Sequence, residues 1–144
     1  MMRARNPLLA GLFTTLLAVI SVGCGGGAQQ KKVTGKVILP KNVKVVENDA
    51  INLTFIPDPK GTSVVATVSP QDLTFSTQIP PGKYKITAEI TPYPGEKESE
   101  KRATAFEKFN EKYNSTNANL TYEVTADANQ NITVDLAQDR VAKE

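Results

Sequence analysis

Tyr84-Lys85-Ile86-Thr87-Ala88-Glu89-Ile90-Thr91 (YKITAEIT, residues 84–91) alternates apolar and polar side chains without a break. Period two puts Tyr84, Ile86, Ala88 and Ile90 on one face of an extended strand, and Lys85, Thr87, Glu89 and Thr91 on the other. A helix would scatter the same residues around its circumference, so this stretch reads as a strand with one face in a core. Working outward, the pattern recurs. Towards the N-terminus lie Leu73, Phe75 and Ile79; Val64, Ala66 and Val68; Ile51, Leu53 and Phe55; and Val33, Gly35, Val37 and Leu39. Towards the C-terminus lie Leu120, Tyr122 and Val124, then Ile132, Val134 and Leu136. Threonine is frequent between these positions, as suits the outward face of a strand.

Turn chemistry separates the runs: Pro40-Lys41-Asn42, Pro57 to Gly61, Pro70-Gln71-Asp72, Pro80-Pro81-Gly82 and Asp127 to Asn131. The chain is 144 residues long, enough for one ordinary domain. These runs predict an all-β fold, a single antiparallel β-sandwich of about seven strands, transthyretin-like or immunoglobulin-like, over residues 33–137. Residues 138–144 are expected to be a C-terminal tail. One segment breaks the pattern. Glu96 to Arg102 is densely charged, and residues 103–113 (ATAFEKFNEKY) form a short amphipathic helix with Phe106, Phe109 and Tyr113 on one face. Those rings either pack onto the sheet or form a surface for a partner. With Tyr93 in the preceding proline-rich loop, they are the candidate interaction surface.

The N-terminus has another logic. Arg3 and Arg5 are the only charges before Cys24, and Leu8 to Val22 is an uncharged run of 15 residues. A membrane-spanning helix takes roughly 20. The order basic, apolar, small reads as a secretory signal over residues 1–23, cut between Gly23 and Cys24. Ser21-Val22-Gly23-Cys24 resembles the lipobox of bacterial lipoproteins, with Ser21 where the pattern prefers leucine. That resemblance implies lipid on Cys24, the sole cysteine. Residues 24–32 then form a lipidated cysteine and a glycine-rich tether. The expected location is the cell membrane or outer membrane, with the domain facing the periplasm or exterior and membrane lipid as its first partner through acylated Cys24.

The strands carry a second resemblance. Val33-Thr34-Gly35-Lys36-Val37, Leu53-Thr54-Phe55-Ile56-Pro57 and Pro80-Pro81-Gly82-Lys83-Tyr84-Lys85-Ile86 resemble the transthyretin-like sandwich known as the carboxypeptidase regulatory-like domain. The Lys-Tyr segment Glu111-Lys112-Tyr113-Asn114 is similar to one in small bacterial lipoproteins of this type. The family often has Asp and Gly in the turn before its middle aromatic strand. Here Ser69 to Leu73 has Asp72 but no glycine, which predicts a wider hairpin. The resemblance implies a folding, docking or binding module and brings no catalytic residues.

Composition points the same way. The chain has no histidine, which removes His-based triads and His-ligated metals, and no Ser-x-x-Lys motif offers another base. Asp127 to Asn131 starts like a calcium loop, but Ile132 and Gln138 stand where an EF-hand needs Gly and Glu. No metal, cofactor or catalytic residue is therefore expected. Removing Arg3 and Arg5 from the 17 basic residues leaves 15 against 15 acidic ones, so the mature segment is neutral and no nucleic acid partner is expected. Asn52, Asn114, Asn119 and Asn131 begin Asn-x-Ser/Thr triplets, read here as strand and turn residues. The expected function is a non-catalytic, lipid-anchored structural or protein-interaction module of the cell envelope. The alternative is a carbohydrate- or cell-wall-binding module, with Tyr93 as the exposed ring.

Overall fold

The computed structural model describes residues 29–94 and 99–144. The expected signal peptide, Gly23 and Cys24 lie outside them. The strands are β1 (Lys31–Ile38), β2 (Ala50–Asp58), β3 (Val64–Val68), β4 (Thr74–Ile79), β5 (Gly82–Thr91), β6 (Leu120–Val124), β7 (Asn129–Asp135) and β8 (Arg140–Lys143), with one helix, α1 (Ser99–Tyr113), between β5 and β6. All seven expected strands form. Their alternating apolar residues are the core: Val33 and Val37, Ile51 to Phe55 at alternate positions, Ile86 and Ile90, Leu120, Ile132 and Val134 are all buried.

The ladders join the strands into one eight-stranded sheet in the order β6-β5-β2-β3-β4-β1-β7-β8. The sheet curls until its two edges, β6 and β8, lie side by side without pairing, so it is nearly closed. One link is thin: β3 and β4 share the single pair Val68↔Phe75. Phe55 bridges this junction from inside, its ring centroid 6.3 Å from both Phe75 and Tyr84.

Four expectations change. The sheet is mixed, because β1 runs parallel to β7 from Lys32↔Asn129 to Ile38↔Asp135. Side-chain alternation is identical in parallel and antiparallel strands, so the pattern carried no direction. Residues 140–143, expected as tail, pair with β7 as an eighth strand. Buried Asp135 builds the turn into it, accepting bonds from the Ala137 and Gln138 amides at 3.1 and 3.0 Å, and Asp139 takes a left-handed φ of 52°. The helix starts four residues earlier than expected, at Ser99. The first strand starts at Lys31, inside the expected tether.

The turn residues act as their chemistry requires. Gly82, at φ 151°, opens β5, and the Tyr84 hydroxyl donates back to the Pro80 carbonyl at 2.8 Å. Leu73 takes the left-handed φ of 56° in the turn that lacks a glycine. Asp72 supports that turn by accepting from the Thr74 amide and hydroxyl at 3.2 and 2.9 Å.

Helix α1 repairs an edge. β6 pairs only with the first half of β5, from Gly82 to Ile86. Higher on β5, the Asn110 side chain takes the place of a strand, accepting from the Ile90 amide at 2.8 Å and donating to the Ile90 carbonyl at 2.9 Å. The Tyr113 hydroxyl reaches across to the Leu136 carbonyl and to Asp139, fixing the helix C-terminus to the β7–β8 turn. The seam is thus filled by β6 in its lower half and by α1 above it.

Candidate functional site

The registers sort the loops into two ends. Lys31, where the chain enters the sheet, lies with the β4–β5 turn and the start of β7. The far end carries residues 39–49, 69–73, 92–94 and 136–139. At that far end, Asp49 organises the surface. Its carboxylate is fully shielded from solvent and accepts from the Val46 amide at 2.8 Å, the Tyr93 amide at 3.1 Å and the Arg102 guanidinium. One carboxylate therefore ties the β1–β2 loop, the exit of β5 and the first turns of α1 together. Arg102 also lies 5.5 Å above the centre of the Phe106 ring, a cation–π contact.

Two of the expected site segments meet here, but not as a ring-lined surface. Tyr93 is 49% exposed, whereas Phe106, Phe109 and Tyr113 are buried. Phe109 and Tyr113 pack with centroids 4.8 Å apart. These three rings belong to the core, because burying a large aromatic face on the sheet releases more free energy than leaving it in water. Only Tyr93 among the candidate surface residues presents its ring. Asp49 carried no sequence signal beyond membership of a polar turn. Its importance comes from one local donor, the Val46 amide, and two donors, Tyr93 and Arg102, that converge on it from segments distant in the chain.

Beside this hub, α1 and the β1–β2 loop enclose a cleft of about 220 Å³. Pro40, Asn42 and Val43 form one wall, and Ala105, Lys108 and Lys112 the other. Phe109 and Tyr113 edge its floor. Lys112 pairs with Asp139 at 2.9 Å, and its ammonium lies 4.9 Å above the Tyr113 ring. The hydrogen bond from Tyr113 and the Lys112 charge hold the Asp139 carboxyl below the usual value, while burial pushes the Tyr113 phenol up. A larger groove of about 510 Å³ lies near the Lys31 end, between Asp58, Lys83, Lys85, Thr121 and Glu123. Its walls mix both charge signs across β2, β5 and β6.

Among the described residues there is no group of three or more His, Cys, Asp or Glu side chains placed to hold a metal. No described helix is long and apolar enough to cross a membrane.

Fold and site together define a β-rich chain: one nearly closed mixed sheet, sealed by a docked helix that builds a composite loop surface at one end. No family model matches the chain. No curated protein matches it either. Among solved structures, a DUF3823 family protein from Parabacteroides merdae aligns with 17% identity over 76% of this chain, at a TM-score of 0.39. The chain spans 46% of that protein's length. A likeness at that level carries no argument about function.

Proposed function

We propose that the chain is a non-catalytic, lipid-anchored protein of the cell envelope whose folded part is a protein-interaction module. In this reading the sheet's two halves, hinged at Val68↔Phe75, are the layers of a transthyretin-like sandwich of the carboxypeptidase regulatory-like kind. Cys24 carries the lipid, and the domain faces the periplasm or exterior from the cell membrane or outer membrane. The observation that carries the reading is the placement of the two ends. Lys31 enters the sheet seven residues after Cys24, and the Asp49-centred surface sits at the opposite end. Seven extended residues reach at most about 25 Å, so an anchor at Cys24 keeps the Lys31 end near the headgroups and turns the far end outward.

The test is fractionation of cells producing the wild type and Cys24→Ala. Wild-type protein is expected in the membrane fraction with a lipid-modified N-terminal cysteine by mass spectrometry, and the variant is expected uncleaved or released. Normal cleavage and membrane retention of Cys24→Ala would overturn the assignment.

The half-exposed Tyr93 ring supports a second reading, a carbohydrate- or cell-wall-binding module. Retention on purified envelope glycans that falls on Tyr93→Ala would favour it. No retention of the wild type would leave the protein-interaction reading.

A further inference from the structure

We propose that the cleft between the β1–β2 loop and α1 docks an acidic segment of a partner protein that inserts one apolar side chain. The inference rests on the interaction-module reading above and names the partner's chemistry. The first argument is charge. Lys108 and Lys112 stand on the helix rim of the cleft. On the loop, exposed Lys41 and Lys44 flank the lining residues Pro40, Asn42 and Val43 without lining the cleft themselves. Among the described residues no carboxylate lines the cleft. Asp139 is held by Lys112, and Glu47 accepts from Gln71 of the β3–β4 turn. Glu107 and Glu111 do not line the cleft, though Glu111 neighbours Lys108 on the helix surface. Among the described residues, Lys108, which lines the cleft, makes no ion pair within 4 Å.

The second argument is shape. Between the lysines the walls are Val43 and Ala105 above the edge of Phe109, and the volume suits one bulky side chain. An aliphatic side chain fills such a space without needing hydrogen bonds. The third argument is rigidity. α1 is fixed by Arg102 to Asp49, by Asn110 to Ile90 and by Tyr113 to Leu136. A wall held at three points loses little entropy when a ligand docks. The cleft also lies at the end away from Lys31, so headgroups of the anchoring membrane are not the anion that meets it.

The experiment uses the full chain in neutral detergent micelles and the fluorescently labelled peptide Glu-Glu-Leu-Glu-Glu, read by anisotropy. Binding is expected, and it should weaken as salt rises. Lys108→Glu, the double variant Lys41→Glu/Lys44→Glu, and Ala105→Phe, which fills the cleft, should each weaken it about tenfold. Circular dichroism checks that each variant is folded, and Lys108→Gln serves as a milder second variant for the charge. Four outcomes overturn the proposal: no binding at millimolar peptide; undiminished binding by the folded Lys108→Glu and Lys108→Gln variants; equal binding of Glu-Glu-Ser-Glu-Glu; or equally tight binding of a galacturonic acid oligomer, which would assign the cleft to an anionic glycan. None of these depends on the fate of Cys24→Ala, so failure here is distinguishable from failure of the anchored-module reading.

Discussion

Gly35 sits opposite Ile132 in the parallel pair of β1 and β7. A Cβ there would come within 2.1 Å of the Ile132 carbonyl oxygen, which belongs to backbone and has nowhere to go. The backbone of β7 occupies the space that a side chain at residue 35 would take. Gly35→Ala should lower stability by about 3 kcal/mol, the upper end of overpacking costs, measured by urea unfolding. At Asp139 the argument is electrostatic. Its carboxyl is held below the ordinary value of 3.8 by Tyr113 and Lys112 in the folded chain. A depressed carboxyl contributes stability above its unfolded value and loses it as pH falls through its folded one. Unfolding free energy should therefore decline as pH drops below about 4, and Asp139→Asn should flatten that part of the pH profile. Gly35 was legible as a special position because glycine inside a strand needs a reason. The Asp139 contact was not, because its partners come from α1.

At the scale of elements, α1 shows how much a pattern says and where it stops. The spacing of Phe106, Phe109 and Tyr113 identified a helix with one apolar face. It did not say whether that face met a partner or the sheet, and the burial of all three rings answers that. Nor did it single out Asn110, a polar residue on the helix that completes the open upper edge of β5. Asn110→Ala would leave the Ile90 amide and carbonyl without these partners. The expected loss is about 1–3 kcal/mol, with faster hydrogen exchange at Ile90 than at Ile86, which β6 still covers. β8 went unread for a simpler reason. It is four residues long with one half-buried apolar side chain, Val141, too short to show alternation.

For the whole molecule, closure depends on the seam. Gln130, buried at the start of β7, accepts from the Tyr122 hydroxyl at 2.6 Å and the Thr125 amide at 3.3 Å, and donates to the Thr125 carbonyl at 3.2 Å. These bonds join β6, at one edge of the sheet, to β7, next to the other. Gln130→Ala should open this end, seen as faster exchange of the Thr125 amide and a stability loss of about 1–3 kcal/mol. By itself, the order of side chains determined that the folded part is β-rich, where seven strands run, which residues form the core and where the helix lies. Those properties are local, because the alternation of apolar residues within a few positions is enough to fix which face seeks burial. Tertiary structure alone decided that β1 and β7 run parallel, that the sheet curls until its edges meet, that the helix rings turn inward, and that Asp49 gathers Tyr93 and Arg102 at the end opposite Lys31. Each of these depends on segments far apart in the chain coming together, and alternation along a strand has no term for its neighbour's identity or direction.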